Sequence, residues 1–379
     1  MKIIEVIPHV LQYKLPKNQC FSYSQAWYDN RTIMVVEILT DEGITGWGEA
    51  FGPAFVHKKI IEDIYKPLII DKDPFDNEVI WETLYNCLRD HGQKGVVIEA
   101  ISAIDIALWD IKGKYIKLPI YKLLGGSFRD ELRAYATGFY HRNVKNQTKE
   151  LVDEAYKYIN EGFKALKIKI GFGIEDDIKN VKAIREAIGD DIKIMVDANH
   201  AYNANDAIKV GKRIEEFDIF WFEEPVPPED KNGYIEVKNN INIPIAGGEA
   251  EFTRYGFNDL INRRCIDIVQ PDVCVMGGIT EFKKVISLAS IQNIQCYPHI
   301  WGSSIALATG IQIGFSLPNF PNCLYPPAVM LELDRTPNIF REELSTIPFA
   351  FENGIIKRNN RPGLGININR ELIDRYTIG

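Results

Sequence analysis

No CxxC pair occurs in this chain; its six cysteines are scattered at Cys20, Cys87, Cys265, Cys274, Cys296 and Cys323. Such usage argues against a disulfide framework and reads as small, reduced, mostly buried side chains. A surplus of basic residues is also missing: 44 Lys and Arg stand against 52 Asp and Glu, for a formal charge of -8. Nucleic acid and anionic membranes call for basic clusters, so neither is an expected partner. No apolar run approaches the roughly 20 residues of a membrane span. Met1 to Val10 lacks the basic region and long apolar core of a secretory signal, so the expected location is the cytoplasm. Low-complexity tracts and flexible linkers are absent too. What remains is an ordinary globular composition, 46% hydrophobic and 25% charged, over 379 residues. That length predicts two or three domains with ample material for a large core.

The chain opens with strand signals. Residues 2–13 and 31–39 are rich in Ile and Val, and Asp41-Glu42-Gly43 marks a hairpin turn into residues 44–49. From about Lys58 to Lys117 the pattern is helical, with Ile98, Ile101, Ile104, Leu108 and Ile111 recurring at three- and four-residue spacing. Pro119 and Gly125-Gly126 then punctuate the chain. The predicted division is an α+β capping domain over 1–125, a catalytic domain over 126–340, and a segment 341–379 that returns to the capping domain.

After Arg133 short apolar or β-branched runs alternate with amphipathic helices: 164–170, 192–196, 219–222, 243–247, 266–270, 294–298 and 328–331. This alternation predicts a parallel sheet with crossover helices. Lys169, Asp197, Glu223, Glu249, Asp272 and His299 end successive runs, spaced by roughly 25 residues, about one strand and its crossover helix. An open sheet would spread six such groups along an edge. A closed barrel brings them into one ring, so the predicted fold class is α/β, a (β/α) barrel of modified TIM type.

Asp197, Glu223 and Glu249 each follow a buried apolar strand, where a carboxylate is costly unless a cation meets it. Singly each reads as a helix N-cap or a surface carboxylate. Together they form an all-oxygen, trianionic set suited to Mg²⁺ or Mn²⁺ rather than zinc. Lys167 and Lys169 alternate with Leu166, Ile168 and Ile170, so both ammonium groups point into the barrel. Two adjacent cations are expected to depress each other's pKa toward the range of a general base. Asp272 and His299 end adjacent strands, where the carboxylate is expected to fix the imidazole tautomer. Asn199 and His200 are within reach of the same site. Glu332 ends the last strand and is expected to donate to an enediolate oxygen if protonated. The stretch 17–30, with Phe21, Tyr23, Trp27 and Tyr28, and Phe51 are expected to close over the barrel mouth, Tyr23 and Trp27 as substrate contacts. Gly171-Phe172-Gly173 lacks the third glycine of a dinucleotide fingerprint.

Several motifs are familiar in combination: Gly46-Trp47-Gly48-Glu49, Leu123-Leu124-Gly125-Gly126, Lys167-Ile168-Lys169, Val196-Asp197-Ala198-Asn199, Trp221-Phe222-Glu223-Glu224-Pro225, Gly247-Gly248-Glu249, Gln270-Pro271-Asp272 and Pro298-His299. With them the chain resembles the enolase superfamily, and within it the mandelate racemase subgroup. The resemblance implies Asp197, Glu223 and Glu249 as Mg²⁺ ligands. It implies Lys169 as a base tuned by Lys167, and a His299–Asp272 dyad on the opposite face of a small carboxylate substrate. Glu332 matches the family's last-strand glutamate only in part, since Leu331-Glu332-Leu333-Asp334 is a partial fit. No second lysine stands at the Asp272 position, which sets aside the muconate-cycloisomerase subgroup. Residues 197–202, 249–253 and 298–303 resemble acid-sugar dehydratases and the galactarolactone and anhydrogalactonate cycloisomerases. The implied reaction is α-proton abstraction from a sugar acid or its lactone, with β-elimination to a 2-keto-3-deoxy acid. Racemisation or epimerisation of a 2-hydroxy acid uses the same groups, and a catalytically silent barrel serving as a binding protein is the rival from another class. A homo-oligomer is implied by the resemblance alone.

Overall fold

Ile3–Lys14 and Asn30–Thr40 pair antiparallel, and Thr45–Ala50 joins the second of them, giving a three-stranded sheet at the start of the chain. The computed structural model describes residues 1–379. Across the sheet lies the helix Val96–Tyr115, most of it buried. Gly46 and Gly48 permit this approach, because a Cβ on either would run into the backbone carbonyl of Ala107 or Ala103. Helices Ala54–Ile60 and Asn77–Cys87 complete the capping unit.

Eight strands then follow in parallel: Glu131–Gly138, Ala165–Lys169, Lys193–Asp197, Ile219–Glu223, Ile245–Gly247, Ile268–Val269, Gln295–Cys296 and Met330–Asp334. The eighth pairs with the first, so the sheet curls into the expected barrel. No ladder joins the seventh to the eighth; there the Ile300 N–H donates to the Glu332 carboxylate at 3.1 Å. A helix follows each of the first seven strands. The seventh of these, Ser304–Ser316, is apolar on every side and buried along its length, because the rest of the chain encloses it. The first strand was not among the apolar runs predicted. Its sequence, Glu-Leu-Arg-Ala-Tyr-Ala-Thr-Gly, mixes charge and alanine and carries little β-branched signal.

The last residues touch both units. Phe351–Glu352 and Ile355–Lys357 form a hairpin on the edge of the first barrel strand. Helix Arg370–Tyr376 lies on the capping sheet, where Thr377 bridges Leu11 and the Arg370 guanidinium pairs with Glu37. No helix is long and apolar enough to cross a membrane.

The barrel interior is layered by strand alternation. One buried side chain from each strand fills its lower part: Tyr135, Ala165, Met195, Trp221, Ala246, Ile268, Tyr297 and Met330. Two residues further along, the same inward face carries Thr137, Lys167, Asp197, Glu223, Gln270, His299 and Glu332, all buried. A period of two thus lays a polar, ionisable layer directly on an apolar one.

Candidate active site

Lys167 sits at the bottom of the polar layer with no exposure. Its Nζ donates to Glu223 Oε1 at 2.6 Å and lies 2.8 Å from Glu332 Oε1. The second oxygen of Glu223 accepts from Gln270 Nε2 at 2.6 Å and from Trp221 Nε1 at 2.9 Å. Higher up, the Lys169 ammonium donates to Asp197 Oδ2 and to Asn199 Oδ1, the latter at 3.0 Å. Asn199 has φ 43°, a left-handed conformation that asparagine tolerates, and its N–H returns to Asp197 Oδ1 at 2.9 Å. Across the barrel His299 Nδ1 lies 2.6 Å from Asp272 Oδ2. The other Asp272 oxygen accepts the Cys274 N–H at 2.7 Å, so the carboxylate is held and the imidazole donates from Nδ1. His299 Nε2 then faces Glu249 Oε2, 3.3 Å away.

A cavity of about 130 Å³ opens above this layer. Its polar lining is Lys169, Asn199, His200, Glu249 and His299, and its aromatic lining is Tyr23, Tyr28, Phe51, Tyr140 and Trp301. The capping unit supplies three of these aromatics. Phe21–Ser22 and Trp27–Tyr28 form a small hairpin that lowers Tyr23 and Tyr28 over the barrel mouth, with the Tyr28 ring 5.1 Å from Trp301.

Several expectations are corrected here. Trp27 is not a wall of the cavity: it is 56% exposed and packs edge-on to His141. Hairpin alternation explains this, because turning Tyr28 inward turns its neighbour out. The two lysines do not depress each other into the base range. Burial, the largest influence, pulls Lys169 down, but Asp197, Tyr140 and Glu249 together outweigh it and the nearby Lys167, and the ammonium is held above its ordinary value. Lys167 is likewise held well above, by Glu223 and Glu332 against burial. Glu332 is not a protonated donor. Burial raises its pKa, but Lys167 and His299 bring it to about 2, and it accepts from Thr137 and Ile300. Lys167, Asp272 and Glu332 stand below or behind the cavity and do not line it. Tyr140 and Trp301 line the cavity too, although neither is among the expected site residues; Trp301 falls only within the stretch 298–303 that carries the resemblance.

Asp197, Glu223 and Glu249 each offer an oxygen within 4.8 Å of the others. Burial, with Asp197 and Glu332, pushes Glu223 to about 7 despite Lys167. Burial and Glu224 do the same for Glu249, also to about 7, against the pull of His299. Glu249 Oε2 is enclosed without a hydrogen-bond partner. Crowded, desolvated carboxylates with an unspent oxygen are what a hard divalent cation relieves, so the donor set fits magnesium.

Residues 9–125 match the family described as the mandelate racemase / muconate lactonizing enzyme N-terminal domain, and residues 150–372 match the enolase C-terminal domain-like family. The chain belongs to the mandelate racemase subgroup of the enolase superfamily. It is 41% identical over 376 residues to the D-galactarolactone cycloisomerase of Agrobacterium fabrum, covering 99% of both chains. It is 37% identical to the arabinonate dehydratase of Saccharolobus solfataricus, over 91% of this chain and 90% of that one. The crystal structure of the 3,6-anhydro-D-galactonate cycloisomerase from Zobellia galactanivorans superposes with a TM-score of 0.91 at 41% identity, over 100% of both chains. A racemase from Streptomyces coelicolor, solved with bound magnesium, superposes at 0.89 with 26% identity, over 99% of this chain and 100% of that one. With relatives named as dehydratases and cycloisomerases, the chain is an enzyme of the same superfamily, a lyase or isomerase.

Proposed function

We propose that this enzyme abstracts the α-proton of a sugar acid or sugar-acid lactone and expels a β-oxygen, giving a 2-keto-3-deoxy acid by dehydration or lactone opening. One observation carries the proposal: Lys169 and the Asp272-braced His299 line a single cavity from opposite parts of the barrel, with Glu249 between them. The similarity to a galactarolactone cycloisomerase and an arabinonate dehydratase supports the substrate class.

Asp197, Glu223 and Glu249 would hold Mg²⁺, with Mn²⁺ as an acceptable substitute. When bound, the ion supplies Lewis acidity, without which an α-carboxylate proton is too weakly acidic for a side-chain base. The remaining work falls to the chain's own groups. Asp197 beside Lys169 and Glu249 beside His299 would turn toward the ion and ease their hold on those protons, so that one of Lys169 Nζ and His299 Nε2 takes the α-proton and the other protonates the departing oxygen. Asp272 keeps the imidazole in one tautomer with Nε2 toward the cavity. Asn199 orients the Lys169 ammonium, and Tyr23, Tyr28 and Trp301 exclude water from the reacting carbon. The division into 1–125, 126–340 and 341–379 belongs to the same proposal, supported by the ties of the tail to both units.

The test is a screen of acid sugars and their lactones with Mg²⁺, reading both keto product and configuration. A 2-keto-3-deoxy product is expected. Inversion at the α-carbon without keto product would replace this reading by an epimerase.

A further inference from the structure

The barrel helix Ser304–Ser316 begins just past His299 and Trp301, and its start is held from the other unit. Glu49, buried in the last strand of the capping sheet, accepts the Ser303 N–H at 2.9 Å and the Ser303 hydroxyl at 2.6 Å. It also accepts the Ala306 N–H at 3.0 Å. A Cβ on Gly302 would meet Glu49 Oε1 at 2.5 Å, so the loop presses on the carboxylate without slack. Phe51, at the same strand end, lines the cavity with its ring 5.5 Å from Trp301 and 6.3 Å from His299. Its N–H donates to the Cys274 carbonyl at 3.2 Å, in the loop after Asp272.

Burying a carboxylate is costly, and burial indeed pushes Glu49 up to about 7 against its hydrogen bonds from Ser303 and Ala306. The Ser303 hydroxyl supplies the ordinary cap by accepting the Ile305 N–H at 3.0 Å, and Glu49 adds from the other unit a second acceptor for the first turn. Asp105 offers a control within the same molecule. Equally buried, it receives the Thr280 N–H at 2.9 Å and the Thr280 hydroxyl, in the first turn of the barrel helix Gly278–Ile291. No residue of that helix lines the cavity.

We propose that Glu49 is a positioning residue: through Ser303 and Ala306 it fixes the loop that presents His299 and Trp301 to the substrate. This rests on the acid–base role given above to His299. Glu49 thereby sets one of the two acid–base groups from a distance; Lys169, on the second barrel strand, is not among its partners.

The experiment compares Glu49→Gln, Asp105→Asn and His299→Asn with the unaltered magnesium-loaded enzyme, in kcat, KM, Mg²⁺ affinity and thermal unfolding. Glutamine keeps the volume and one acceptor but turns an amide against the remaining donors. Glu49→Gln should lower kcat by about tenfold or more with KM and Mg²⁺ affinity within about twofold. Asp105→Asn should lower the unfolding temperature comparably and leave kcat within about twofold. Combining Glu49→Gln with His299→Asn should add nothing to the loss from His299→Asn, because the positioned group is already gone. Losses that multiply, or equal kcat losses in Glu49→Gln and Asp105→Asn, would overturn the proposal. Should Glu49→Gln not fold, Ser303→Ala keeps the carboxylate and its backbone donors. A kcat loss of about threefold at constant KM then supports the role, and an unchanged kcat overturns it. Full turnover in His299→Asn would sink the acid–base assignment itself, whereas a crippled His299→Asn beside an unaffected Glu49→Gln would sink only this inference.

Discussion

Beneath the cavity Lys167 is enclosed by Glu223 and Glu332 with no exposure, whereas at the rim Tyr23, Tyr28 and Trp301 meet ring against ring and remain partly open to solvent. The lower group is a network of buried ionisable side chains in which both carboxylates answer to the Lys167 ammonium. Removing one strands its partner in a low-dielectric interior. The rim is held by packing and by the Arg31 guanidinium 4.3 Å from the Trp301 ring, so its members are separable. On the proposed reading, chemistry belongs to the part that tolerates no change, and substrate choice to the part that does.

That contrast breaks most sharply at Glu223. Glu223→Gln removes a carboxylate from the metal set and a partner from Lys167. Mg²⁺ affinity should fall by about 10- to 100-fold, with activity falling alongside it, measured by calorimetry and turnover. Exhaustive chelation should abolish activity in the unaltered enzyme, and full turnover after chelation would contradict a metal-bearing floor.

Glu332 sharpens the comparison through pH. Its pKa in the fold is lowered from 4.5 to about 2, so its contribution to stability is complete above the unfolded value and is lost as pH falls through the folded one. In urea unfolding, the advantage of the unaltered protein over Glu332→Gln should reach a few kcal/mol near about pH 6 and shrink on acidification toward about pH 2. A gap that does not change with pH would show that Glu332 is not an ionised partner of Lys167.

At the rim the effects should be smaller and should follow orientation. Tyr28→Phe should change KM by about threefold to tenfold, the scale of one hydrogen bond, and leave Mg²⁺ affinity alone. Trp27→Ala, on the outer face of the same hairpin, should stay within about twofold in every kinetic constant. Equal effects at the two positions would mean that the hairpin does not wall the cavity.

The lower part was legible in the sequence because an ionisable residue straight after an apolar strand has few cheap explanations. Strand alternation alone placed Lys167 and Lys169 on one face. Their protonation was not legible: adjacent residues display the repulsion between two cations, but the carboxylates that overturn it come from other barrel strands. Glu332 was misjudged for the same reason. Tyr140 was hidden by the first barrel strand, whose alanines and charges carry no strand signal. The choice between Trp27 and Tyr28 depends on the register of a hairpin so short that no periodicity reveals it.

The central claim, two groups serving one carbon from opposite sides, is tested most directly by solvent exchange at the α-carbon in Lys169→Ala and His299→Asn. Both substitutions should lower overall elimination by about a hundredfold or more. In D₂O, the variant that keeps the proton-abstracting group should wash deuterium into unreacted substrate, and the other should not. Wild-type-like turnover in both variants, or no difference in exchange between them, would contradict the account.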